Sequence, residues 1–177
     1  REAMTESSEE YDIALIEGSI TRAEDEERLK AIRAKAGILV ALGACATIGG
    51  VNKIKNRFDM DEVRSCVYGE DGSRPHLDTY PTKAVHEIVD VDYNIHGCPM
   101  NKREFSYVVR CLAMGKTPEI PNYPVCVECK LRENVCRFEY DEICLGPITR
   151  AGCNAPCPSA GIWCFGCRGM VDNPNVN

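Results

Sequence analysis

The sequence predicts an α/β domain built on a parallel sheet, followed by a small irregular domain organised by cysteines. Three observations carry that expectation. Short apolar runs alternate with helical periodicity through the first two thirds of the chain, the pattern of strand–helix–strand units. Eight of the twelve cysteines then crowd between Cys126 and Cys167. After Pro121 prolines, glycines and cysteines replace periodic apolar residues, which places a domain boundary there. The expected organisation is a linker or frayed terminus at 1–10, the α/β domain at 11–121, the cysteine domain at 122–172 and a tail at 173–177.

Tyr11–Glu17 is a short apolar run ending in a carboxylate and reads as a buried strand. Gly18 and Ser19 turn the chain. Thr21 with Glu24 suggests a capping box, and the acidic cluster Glu24 to Glu27 complements a helix N-terminus. Leu29, Ile32 and Ala36 recur on one face, Gly37 is expected to close the helix, and Arg22, Lys30, Arg33 and Lys35 form its solvated side. Ile38 to Leu42 reads as a second buried strand, parallel to the first if the two share a sheet. Signals weaken from Val51 to Pro81, where a short helix around Asp61 to Cys66 and a loop from Gly69 to Pro75 are expected. Thr82 to Val89 suggests another short helix, and Val91 to Ile95 a third strand. Asn101 can cap a helix with Phe105, Val108, Val109 and Leu112 on its face and Gly115 at its end.

Composition excludes several classes. A chain of 177 residues with 44% apolar content can bury a core, so disorder is excluded. The net charge is -6, and ten acidic residues fall in the first 27 positions against two basic ones. No basic stripe of the kind a nucleic-acid binder needs is present. Gly37 to Val51, the longest uncharged apolar stretch, is too short and too Gly-rich to span a membrane. The chain opens on Arg1 without an initiator Met and reads as processed or partial.

The cysteines point to thiolate ligation in a reducing compartment, because a secreted disulfide scaffold would not follow a long ordinary α/β region. In an open parallel sheet, ligands bind beyond the carboxyl ends of the strands. Glu17, Cys45 and Cys98 each stand near such an end, the cysteines in the Gly-containing turns Gly43-Ala44-Cys45 and Gly97-Cys98-Pro99. The alternative is two unrelated buried cysteines and a turn glutamate. The C-terminal spacing is more specific: Cys126-x2-Cys129-x6-Cys136-x7-Cys144, then Cys153-x3-Cys157-x6-Cys164-x2-Cys167. Two quartets of thiolates suit two cuboidal iron–sulfur clusters. Paired four-cysteine zinc sites remain the alternative, although structural zinc sites more often use two close pairs per ion. Cys66 and Cys111 read as inert core residues, His96 as a hydrogen-bonding loop residue, and Trp163 and Phe165 as shields flanking Cys164.

Four segments together resemble the small, electron-transferring subunit of [NiFe] hydrogenases: Ile16-Glu17-Gly18-Ser19, Gly43-Ala44-Cys45-Ala46, Tyr93 through Pro99, and Cys144 through Cys153. The similarity runs from about Tyr11 to Gly169 and is strongest to the delta subunits of soluble sulfhydrogenases and the small subunits of hydrogenases that associate with heterodisulfide reductase. The resemblance implies a flavodoxin-like domain with a proximal [4Fe-4S] cluster and a C-terminal domain with medial and distal clusters. It assigns Cys45 and Cys98 to the proximal site, with Glu17 as the acidic residue beside it. Cys126, Cys129, Cys136 and Cys144 match the distal quartet; Cys153, Cys157, Cys164 and Cys167 match the medial one. The two remaining proximal ligands, a Cys-x-x-Cys in the family, would lie upstream of Arg1, so a third cluster forms only if they are supplied. Cys126 stands where many membrane-associated relatives have histidine, and Cys157 where they often have proline.

The implied function is electron relay from hydrogen oxidation on a separate nickel–iron large subunit to a flavin- or iron–sulfur-bearing acceptor subunit. Neither nucleic acid nor a membrane span enters, and the resemblance favours a cytoplasmic complex. A cluster-bearing subunit of the respiratory complex I type and a zinc-stabilised interaction module are the competing readings.

Overall fold

In the computed structural model, alternation decides the first strand. In β1 (Tyr11–Glu17) Ala14 and Ile16 are buried while Leu15, on the opposite face, is 41% exposed. The expected fully buried strand is therefore covered on one side only, and it lies at an edge of the order β1-β2-β3. The centre belongs to β2 (Ala36–Leu42), where Leu39, Val40, Ala41 and Leu42 are all buried. The two strands run parallel, in a register from Tyr11 opposite Ala36 to Glu17 opposite Leu42. A parallel pair needs a crossover, and α1 (Ala23–Lys35) supplies it. Leu29 of α1 packs with Ile16, Ile20, Leu39, Ala41 and Val85 into the core of this part of the chain.

The ends of α1 differ from expectation. Its N-cap is Arg22, with no side-chain cap from Thr21, and the acidic residues Glu24, Asp25 and Glu26 alone complement the first turn. At its other end the chain passes from Lys35 straight into β2, so Gly37 is a strand residue and not a helix stop. A Cβ at Gly37 would come within 3.2 Å of the Asp12 carbonyl on β1. Arg33 also leaves the solvated face: it pairs at 3.0 Å with Asp92, whose carboxylate accepts the Leu39 N–H at 2.7 Å. That contact ties the approach to β3 (Tyr93–Ile95) onto β2.

β2 runs directly into α2 (Gly43–Ile48), so Cys45 sits on a short helix rather than in an open turn. A 3-10 helix over Val51–Arg57 leads to α3 (Met60–Tyr68), whose N-cap Asp59 accepts the N–H groups of Asp61 and Glu62. Cys66 on α3 is exposed, which corrects its reading as a core residue. The helix expected over Thr82 to Val89 shrinks to one 3-10 turn, Val85–Glu87. Glu87 folds back onto the Ala84 N–H at 2.7 Å and pairs with Lys53, which favours a tight turn.

The structure describes residues 10–69 and 79–174, which divide into two units at Asn94 and Ile95. Most of the linker expected at 1–10, nearly all of the loop from Gly69 to Pro75 and the end of the tail lie outside the described residues. The division precedes the compositional change near Pro121, because α4 (Lys102–Ala113) belongs with the cysteine segment. Glu104 of α4 pairs with Arg168, and its N-cap Asn101 donates to the Gly152 carbonyl. As expected, Asn101 caps α4 by accepting from the Arg103 N–H, Val108 and Leu112 are buried, and Gly115 follows at φ +66. Beyond it the second unit holds only α5 (Val125–Leu131), a 3-10 turn at Arg137–Tyr140 and α6 (Pro156–Ser159) among the described residues. Nor is any described helix long and apolar enough to cross a membrane.

Candidate metal centres

In the second unit α5 carries Cys126 and Cys129 three residues apart, which puts both on one helical face. Cys136 and Cys144 bracket the following 3-10 turn, and the loop between them is held by a bidentate Arg137–Glu142 pair at 2.7 Å per contact. The four cysteines line a single cavity together with Val125, Gly146 and Pro158. Gly146 leaves room there, because a Cβ would press within 3.2 Å of Cys126 Sγ and 3.4 Å of Cys144 Sγ. Donors already face two of the sulfurs. Asn134 Nδ2 stands 3.7 Å from Cys129 Sγ, and the Cys164 N–H donates to Cys144 Sγ at 3.3 Å. Burial pushes the Cys126 thiol up to about 11, and the neighbouring Cys144, Cys129 and Cys136 push it the same way. Left to itself Cys126 therefore stays a neutral thiol, and a cation bound in the cavity would favour its thiolate.

The second quartet comes from a loop, α6 and the C-terminal turn. Cys153, Cys157, Cys164 and Cys167 line another cavity, and Cys98 lines it as a fifth cysteine. Val125 and Pro158 line both cavities and thus stand between the two quartets. The Cys153 thiol is also pushed up to about 11, by burial first. The sulfurs surround cavities rather than meeting at a point, and among the described residues no three ligand-type side chains could hold a single metal ion. All twelve cysteines are free thiols.

Two charged residues that sequence reasoning passed over organise this unit. Arg168 is 1% exposed; it forks onto both oxygens of Glu104 at 2.7 and 2.9 Å and donates to the Ala151 and His96 carbonyls. Its position directly after Cys167 was the available signal, since an arginine beside a half-buried cysteine needs a partner. Glu128, inside the first Cys-x2-Cys, accepts the Gly152 N–H at 2.9 Å and the Asn154 N–H at 2.8 Å. His96 differs from its expected role: its Nδ1 is buried with no hydrogen-bond partner. Burial first, then the nearby Arg150 and Arg168, hold its pKa down to about 4. Trp163 and Phe165 do not shield by burial. They pack on each other at 5.5 Å and stay 40% and 57% exposed, though Phe165 lines the second cavity.

In the first unit Glu17 ends β1 opposite Leu42, the residue before the helix that carries Cys45. Glu17 is exposed and Cys45 half-buried. Gly50, at φ +55, passes so close to Cys45 that a Cβ would lie 3.0 Å from its sulfur. Cys98 follows β3 in the second unit, before a cis bond to Pro99.

The family model for the NADH ubiquinone oxidoreductase 20 kDa subunit matches residues 1–112. The chain belongs to this family. That match stops short of the cysteine block, and relatives that extend through the block place the chain within the family. It is 41% identical over 171 residues to the sulfhydrogenase 2 subunit delta of Pyrococcus furiosus, across 96% of this chain and 70% of that one. It is 28% identical to the iron-sulfur subunit of the F420-non-reducing hydrogenase of Archaeoglobus profundus, across 96% of this chain and 67% of that one. A crystal structure of an NAD+-reducing [NiFe]-hydrogenase in the H2-reduced state superposes with a TM-score of 0.60 at 34% identity, over 67% of this chain and 74% of that one. This member of the family is therefore of the [NiFe] hydrogenase small-subunit type, an oxidoreductase subunit with the α/β fold expected of it.

Proposed function

We propose that the chain relays electrons within a [NiFe] hydrogenase, holding a distal [4Fe-4S] cluster with Cys126, Cys129, Cys136 and Cys144 and a medial one with Cys153, Cys157, Cys164 and Cys167. The observation that carries this reading is that each quartet lines one cavity, the second with Cys98 beside it, and that the two cavities share Val125 and Pro158. The donor set fits the group: four sulfurs, room kept by Gly146, and N–H donors to Cys129 and Cys144. Bound clusters would accept and release single electrons at low potential. The chain's own residues bind them, exclude water through Val125 and Pro158, and set their charge environment. On the resemblance alone, Cys45, Cys98 and Glu17 are proposed for a proximal site, which needs two further ligands. A nickel–iron large subunit and a flavin- or iron–sulfur-bearing acceptor are the partners of such a relay, and twelve free thiols suit a reducing cytoplasm.

Two experiments test the reading. Protein purified without oxygen is expected to be brown, to bleach with dithionite, and to carry about eight iron atoms for the two C-terminal quartets. Stoichiometric zinc without acid-labile sulfide would establish the interaction-module alternative instead. Glu17→Gln is expected to leave iron content unchanged and to alter the redox titration of the proximal site or the pH dependence of turnover. Wild-type behaviour in both measurements would remove Glu17 from the site.

A further inference from the structure

Glu128 belongs in sequence to the first quartet and in its contacts to the second. It lies between Cys126 and Cys129 on α5, one helical turn that holds both sulfurs at the first cavity. Its carboxylate reaches the loop that carries Cys153. Oε1 accepts the Gly152 N–H at 2.9 Å, Oε2 accepts the Asn154 N–H at 2.8 Å, and Oε2 also stands 3.8 Å from Cys153 Sγ. The ligand is thus held from both of its chain neighbours. The loop needs holding, because Asn154 and Ala155 are both left-handed, at φ +63 and +46, and alanine avoids that conformation. Among the described residues the carboxylate's hydrogen bonds come from this loop, and no lysine or arginine pairs with it. Its charge acts directly on Cys153, where the more remote Arg168, itself paired with Glu104, acts with the opposite sign.

We propose that Glu128 is a positioning residue that couples the two cluster sites: anchored by the first quartet's helix, it fixes the Gly152–Asn154 loop so that Cys153 faces the second cavity, and it lowers the potential of the group bound there. This rests on the iron–sulfur reading above. A carboxylate close to a thiolate ligand disfavours adding an electron, so removing its charge makes reduction easier. The first site's helix also becomes a structural requirement for loading the second.

The test uses the anaerobically purified hydrogenase complex, with cluster signals followed by EPR during potentiometric titration. The medial signal is assigned as the one lost in Cys153→Ser. Glu128→Gln keeps the size and one acceptor oxygen, and is expected to retain wild-type iron and sulfide while the medial midpoint moves to a more positive value. Glu128→Ala removes both anchors and is expected to lose about half of the iron held by the two quartets, the medial share. Wild-type midpoint potentials in Glu128→Gln, or a shift confined to the distal signal, overturn the proposal even if Glu128→Ala assembles poorly. Absence of iron and acid-labile sulfide from the unmodified complex would instead overturn the iron–sulfur reading itself.

Discussion

Arg168→Ala is expected to lower the melting temperature of the full chain by roughly 10 °C, about 3–5 kcal/mol of stability at this chain length. Arg168 is 1% exposed and Glu104 9%, and their pair is bidentate. Truncating the arginine leaves the Glu104 carboxylate buried without a counterion and strips a donor from each of the Ala151 and His96 carbonyls. Each unpaired group carries its own desolvation cost. Arg168→Lys keeps the charge but offers one compact ammonium in place of a fork, so an intermediate loss is expected. Removing both partners together, as Arg168→Leu with Glu104→Leu, is expected to recover part of the loss, because no orphaned charge remains. Thermal melts of the four proteins check the order, and a melting point for Arg168→Ala within about 2 °C of wild type would show the pair to be idle. Gly152 belongs to the same brace: a Cβ there would overlap the Arg168 guanidinium.

Local chemistry explains which parts of this arrangement could be read in the sequence. β1, β2 and α4 announce themselves because each meets a core through a regular period, two in a strand and 3.6 in a helix. Asn101 and Gly115 mark the ends of α4 by mechanisms that act within a few residues. That Cys126 and Cys129 share a face was equally legible, since it needs only one helical turn. What stayed hidden depends on distant partners. The Thr21–Glu24 signature is a local pattern, yet the chain begins α1 at Ala23 without it. Gly37 resembled a helix stop, and only the approach of the Asp12 carbonyl on β1 explains it as a strand glycine. Arg33 reads as a surface charge until Asp92 is placed beside β2. Arg168 and Glu128 act across 64 and 26 residues of sequence, beyond any local pattern.

On the iron–sulfur reading, removing the metal is expected to unfold the cysteine segment while leaving the first unit's sheet in place. The first unit has a conventional core, with Ile16, Leu29, Leu39 and Val85 among its buried side chains. Next to the quartets lies a small buried cluster of Val125, Ala155 and Cys164, and the half-buried groups packed on it are Cys129, Cys144 and Cys153. A cluster made so largely of cysteines offsets little of the conformational entropy of the loops that connect them. Binding energy must supply the difference, as in small metal-dependent domains that are unfolded without their ion. Chelation under oxidising conditions is therefore expected to raise amide exchange across Val125–Leu131 and Pro156–Ser159 by about a hundredfold or more, a loss of ~3 kcal/mol of local protection. Amides of Leu39 to Leu42, in the central strand, are expected to keep their protection in the same sample. Equal protection of α5 and α6 with and without iron would mean that Val125, the prolines and the Arg168 brace suffice to fold the segment. The quartets would then be preformed, and metal loading would change their charge but not their order.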